Sequence, residues 1–232
     1  MAEDPMNRNS ALDLALEFLK QQNELGVDTL PIHFAGPDRH GSPEGEFDDD
    51  LESLRAKAIN CQACSLCEGR SSVVFGEGNP RADIMFVGEA PGAEEDRQGV
   101  PFVGASGQLL TRMVEAMGVA REDVYIANVV NCRPPNNRDP LPEEIEKCEP
   151  YLIRQIEMVA PVVICTLGRF AAQTLLKTTD SMGRLRGKIF DYHGVKLVPT
   201  YHPAALLRNA QWKRPTWEDL KLVRTLYDGT KL

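Results

Sequence analysis

The sequence predicts an α/β protein: a three-layer α/β/α sandwich with a central, mostly parallel four-stranded sheet. Two observations carry that prediction. Beyond residue 80, short apolar runs of strand length alternate with longer segments of helical periodicity, the order that yields parallel strands covered on both faces. Each apolar run also closes on a short polar or turn-forming segment, as open parallel sheets do at the carboxyl ends of their strands, where their ligands bind.

Taken in chain order, Ser10 is an N-cap candidate for a short helix, because Leu12, Leu14, Ala15, Phe18 and Leu19 follow at helical spacing. Residues 26–50 then pass through Pro31, Gly36, Pro37, Gly41, Pro43 and Gly45 into an acidic run, which is linker composition. The expected division is an acidic arm over 1–50, with its amphipathic helix, and a single domain over 51–232. Strands are predicted at Ile84–Val87, Val124–Val130, Val162–Leu167 and Lys196–Thr200. Helices are predicted at Ser106–Met117, Pro142–Val159, Arg169–Leu176 and Pro215–Tyr227. The strand ends then bring Gly88 to Gly92, Asn128 to Arg133, Leu167-Gly168 and Tyr201-His202-Pro203 to one rim.

Charge is divided unevenly along the chain. Residues 1–53 hold 13 Asp and Glu against 3 Lys and Arg, so the net charge of −8 falls on the arm and the remainder is mildly basic. Lys and Arg outnumber acids from Arg184 onward, which suits a polyanion such as DNA. No apolar run approaches the ~20 residues that span a bilayer, and the N-terminus lacks a basic region followed by an apolar stretch. A cytoplasmic protein with no membrane partner is expected.

Six cysteines in a chain of this size, without an export signal, are expected to stay reduced. Cys61-x2-Cys64 and Cys132-x15-Cys148 form two distant pairs, and thiolates are ligands that iron and zinc accept. A metal held by all four would staple the start of the domain to its middle. Cys165, inside the apolar run VVICTLG, reads as a core thiol.

Six segments in order, CQACSLCEGR, VVFGEGNPRADIMFVGEAPG, EEDRQGVPFVG, NVVNCRPPNNRDPLPEEIEKC, RLRGK and HPAALLRN, resemble the family 4 uracil-DNA glycosylases. These are iron-sulfur-containing DNA repair enzymes, and the resemblance runs from about Leu54 to Tyr227. It implies a 4Fe-4S cluster on Cys61, Cys64, Cys132 and Cys148, with zinc as the alternative occupant. Cys67 continues a ferredoxin-like spacing, but Ser71 and Ser72 stand where a fourth Cys-Pro is expected. The family register to Arg70 selects Cys61 and Cys64 and leaves Cys67 a bystander.

The resemblance also implies a pocket for an extruded uracil. Phe102 stacks on the base, Asn128 reads its polar edge, and backbone near Ala90 adds to recognition. His202 donates to the departing base, and a carboxylate orients water or stabilises the sugar cation. Glu89 and Glu95 compete for that role. Leu206, Leu207 and Arg208 resemble a minor-groove wedge, while Arg184, Arg186 and Lys188 hold phosphate.

The function expected is hydrolytic release of uracil from single- or double-stranded DNA by a monofunctional, monomeric enzyme working at the nucleoid in base excision repair. Two alternatives stay open: a nonenzymatic sensor of DNA lesions or redox state, and a glycosylase for another deaminated base. The arm is expected to recruit a replication or repair protein.

Overall fold

Strands form where β-branched and other apolar side chains can be buried on both sides, and the chain supplies such runs in its centre. The computed structural model describes residues 50–229. The arm and its expected helix therefore lie outside the described residues, except for Asp50. That residue caps helix α1 (Leu51–Ile59), its carboxylate accepting the Ser53 N–H at 2.8 Å.

After a short helix α2 (Leu66–Gly69), the chain builds β1 (Glu77–Gly78), β2 (Ile84–Gly88), β3 (Tyr125–Asn128), β4 (Val163–Leu167), β5 (Phe190–Tyr192) and β6 (Val195–Thr200). They form one sheet in the order β1-β3-β2-β4-β6-β5. The four inner strands β3, β2, β4 and β6 are mutually parallel, and both edge strands run antiparallel to their neighbours. The α/β class and the four parallel strands match expectation. The count differs, because edge strands of two and three residues are too short to leave a periodic signal.

Alternation along the strands makes two cores. Met85, Val87, Ala127, Ile164 and Leu197 face one side, packed with Leu152 and Ile156 of α5 (Pro142–Val159) and Leu175 of α6 (Arg169–Leu176). Ile84, Phe86, Ile126, Cys165 and Val198 face the other, with Leu110 and Val114 of α4 (Ala105–Ala116) and Leu220 and Val223 of α9 (Lys213–Asp228). Cys165 is fully buried, as its sequence context suggests. Short helices α3 (Ala93–Gln98), α7 (Met182–Leu185) and α8 (Pro203–Arg208) complete the layers.

Proline inside β6 has a positional explanation. The β5 partner ends opposite Leu197, so Pro199 faces no donor-seeking neighbour on that side. Register then sets the functional rim: Gly88 pairs with Asn128 and Leu167 with Thr200, so the carboxyl ends of all four parallel strands finish level. Among the described residues no helix is long and apolar enough to cross a membrane.

Candidate active site and cysteine cavity

A cleft of about 420 Å³ opens at this rim. Its wall includes Glu89 and Ala90 after β2, Glu95 on α3, Phe102, Asn128 at the end of β3, Asp139, His202 after β6 and Arg208. Residues far apart in sequence meet because parallel strands deliver their following loops to the same end.

Gly88 makes the recognition surface possible. A Cβ there would lie 2.4 Å from Asn128 Oδ1 and 2.6 Å from Phe102 Cζ, so both side chains lie directly over its bare Cα. Phe102 packs with the Phe86 and Leu110 core while also lining the cleft. Its backbone is left-handed at φ 54, a conformation that non-glycine residues adopt only when their surroundings hold them there. Glu95 helps to hold it: one carboxylate oxygen accepts the Val103 and Gly104 N–H groups at 3.0 and 2.9 Å.

Asn128 is 2% exposed, and its Oδ1 has no hydrogen-bond partner. A buried acceptor left unmade costs about 1–3 kcal/mol, so it marks a place where a ligand donor is wanted. We expect Gly88→Ala to push the amide and the ring aside. Turnover on a cognate substrate should fall about 10²-fold and the overpacking should cost about 1–3 kcal/mol of stability, as steady-state kinetics and thermal denaturation will show.

His202 stands 5.6 Å from Phe102, ring centre to ring centre. Its Nδ1 accepts the Ala204 N–H at 3.1 Å at the start of α8, which leaves the proton on Nε2. Burial, aided by Arg208 and opposed by Glu95, pushes its pKa down to about 4. The imidazole is therefore a neutral donor at physiological pH. Gly168, at φ +92, gives it room, since a Cβ there would sit 3.0 Å from that of His202.

Glu89 follows β2 on the cleft wall. Burial raises its pKa to about 7, Asp139 adds to the rise, and Arg169 opposes it. Asp139 itself lies 3.4 Å from Arg169. The loop bearing Asp139 is fixed by Glu144, which is fully buried and takes both Arg138 nitrogens at 2.8 and 2.6 Å and the Leu141 N–H at 2.8 Å.

A second cavity lies behind this loop, lined by Cys61, Cys64, Cys67, Cys132 and Cys148. Cys132 Sγ accepts from Arg70 Nη1, and Cys148 Sγ from the Asn131 N–H, each at 3.3 Å. Burial pushes the Cys148 thiol up to about 12 and raises Cys64 and Cys132 in the same direction. Those sulfurs need a cation beside them to ionise. Among the described residues no group of three His, Cys, Asp or Glu side chains is placed to hold a metal ion, although five thiols line this one cavity.

The sequence model of the uracil DNA glycosylase superfamily matches residues 75–221, the span that contains the whole cleft wall. The chain belongs to that superfamily. It is 46% identical over 186 residues to the type-4 uracil-DNA glycosylase of Archaeoglobus fulgidus, covering 77% of this chain and 94% of that one. With the type-4 enzyme of Saccharolobus solfataricus it shares 48% over 185 residues, covering 76% and 86%. A type-5 uracil-DNA glycosylase of Pyrobaculum aerophilum is 32% identical over 212 residues, covering 77% and 91%. The higher identities place the chain with the type-4 family.

Set against the residues expected of that family, the structure brings Glu89, Ala90, Glu95, Phe102, Asn128, His202 and Arg208 into one cleft. The four expected cysteines share the other cavity, and Cys67 joins them, which the family register did not suggest.

Two expected DNA contacts need correction. Leu206 is 2% exposed, a core residue that has no free side for a wedge, whereas Leu207 beside it is 50% exposed. Arg186 is not free for phosphate: it pairs with fully buried Asp219 at 2.9 and 3.1 Å, and Asp219 also accepts from Thr200 Oγ1 at 2.7 Å. Arg186→Ala should leave that carboxylate short of its counter-charge and cost about 3–5 kcal/mol of stability in a denaturant titration. Arg184, paired with Asp180 at 3.3 Å, and Lys188 are exposed.

Asp139, Glu144 and Gly168 were not assigned from sequence. Asp139 lay in view inside NNRDP, and Gly168 at a strand end, but neither declares its neighbour without the fold.

Proposed function

We propose that the chain removes uracil from DNA by hydrolysing the N-glycosidic bond, releasing the free base and leaving an abasic site in an uncut strand. The observation that carries this reading is the buried, unpartnered Oδ1 of Asn128 beside the Phe102 ring. An extruded uracil stacked on Phe102 offers its ring N–H to that oxygen and a carbonyl to the amide NH₂. Cytosine has an acceptor where uracil has the N–H, so the same amide rejects it.

As the bond lengthens, negative charge gathers on the base and positive charge on the sugar. The neutral Nε2–H of His202 donates to the carbonyl oxygen that gains charge. The Glu89 carboxylate, once ionised, orients water toward the sugar or stabilises its cation. Glu95 serves as a positioning residue, one of its carboxylate oxygens accepting the amides that shape the Phe102 turn. Among the described residues the cleft wall includes no lysine for a Schiff base, which supports hydrolysis without strand cleavage. Leu207 fills the space left by the extruded nucleotide, and Arg208, Arg184 and Lys188 meet phosphate.

Cys61, Cys64, Cys132 and Cys148 hold a 4Fe-4S cluster in this reading. The four thiols line one cavity, which supports a shared metal group there, with zinc as the alternative occupant. When bound, the cluster supplies a cross-link between the α1–α2 segment and the loop that carries the cleft wall. The arm over residues 1–50 recruits a repair or replication partner, and the domain acts as a monomer in the cytoplasm.

The test is a duplex or single-stranded oligonucleotide carrying one uracil. The strand should stay whole after incubation with the protein and break at the uracil position on alkali treatment. A strand that survives alkali opposes excision, and a strand broken before alkali opposes the monofunctional assignment.

A further inference from the structure

Cys67 is one thiol more than a four-thiolate group needs, yet it stands on the wall of the same cavity as the other four. It follows Cys64 by one turn, its N–H bonded to the Cys64 carbonyl at 3.2 Å, and residues three apart on a helical turn share a face. Arg70, whose guanidinium donates to Cys132 Sγ at 3.3 Å, lines the same cavity.

We propose that Cys67 is an exchange ligand for the metal group of this cavity, taking the coordination position of Cys64 when that thiolate is lost or leaves. The proposal rests on the iron-sulfur reading above. On ligation Cys67 releases its proton to solvent, a displaced Cys64 thiolate takes one up, and no electron changes hands. The exchange is local, because both thiols belong to one turn and neither the loop after β3 nor α5 has to move. Cys132 and Cys148 have no such stand-in. The remaining cysteine, Cys165, is sealed in β4 with no exposed surface.

The experiment compares the wild type with Cys64→Ser, Cys67→Ser, Cys64→Ser/Cys67→Ser and Cys132→Ser, all purified without oxygen. Iron and sulfide per chain and the visible absorption band are measured. Cys67→Ser should match the wild type, Cys64→Ser should keep most of its iron with an altered band, and the double variant and Cys132→Ser should lose it. A Cys64→Ser protein as empty as the double variant overturns the proposal, as does loss of iron in Cys67→Ser alone.

Should Cys64→Ser fail to fold, the decision passes to iron release to a chelator. Release should be faster from Cys67→Ser than from the wild type, and equal rates overturn the proposal. Wild-type protein that carries zinc and no iron contradicts the cluster reading itself. The same variants then decide ligand exchange by zinc per chain.

Discussion

His202→Ala should release uracil about 10²–10³-fold more slowly than the wild type, with substrate affinity changed far less. That range, about 2.7–4 kcal/mol, is what one donor aimed at a developing oxyanion contributes in a dry site. The structure gives this imidazole both requirements. Its tautomer is set by the Ala204 N–H on Nδ1, and its pKa near 4 keeps it uncharged through the working range. Fixed tautomer and neutrality together mean that the donor is ready before the base arrives, with no proton to acquire first. The rate deficit of His202→Ala should therefore be nearly constant between pH 5.5 and 9. Single-turnover kinetics on a uracil oligonucleotide across that range is the check, and a deficit that disappears at one end would assign the residue to proton transfer instead.

Glu89→Gln should cost about 10²–10⁴-fold in kcat/KM and also change the shape of the pH profile. In the wild type the carboxyl must be ionised to act on water or on a cationic sugar. Because its pKa is raised to about 7, kcat/KM should climb as pH rises through that value and level off above it. A glutamine has no such ionisation, so the climb near 7 should vanish in the variant. The control is Glu95→Gln, whose side-chain oxygen can still accept the Val103 and Gly104 N–H groups and which should therefore keep both the climb and much of the rate. If Glu95→Gln flattens the profile and Glu89→Gln does not, the two carboxylates have exchanged roles. His202 is not the source of the climb, since it loses its proton near pH 4.

The inner sheet was legible because its strands are buried on both faces and stand out as apolar runs ending in turn residues. That placed Gly88, Asn128, Gly168 and His202 on one rim, and the level strand ends put Asn128 and His202 on one cleft wall with Gly88 and Gly168 packed against them. What stayed hidden depended on partners distant in sequence or on the phase of a short helix. Leu206 and Leu207 are equivalent as letters; only the way α8 leaves Pro203 turns one inward and the other out. Arg186 looked like a phosphate contact because Asp219, 33 residues on, could not be seen beside it.

Likewise, Glu95 and Glu89 read as competing carboxylates because the amides that one Glu95 oxygen accepts, eight and nine positions away, leave no mark in the motif. Cys67 was set aside on spacing. A single turn between it and Cys64 restores it to the cavity wall, which no motif register displays.

A flipped uracil is expected to lie over Gly88, its ring on Phe102 and its N–H on Asn128 Oδ1. A crystal structure of the protein soaked with free uracil is the check. The base should stack on Phe102, with Asn128 Oδ1 within hydrogen-bonding distance of the uracil N–H and His202 Nε2 at a uracil carbonyl. Uracil bound elsewhere, or a cleft left empty with Asn128 Oδ1 still unpartnered at saturating uracil, would contradict this placement.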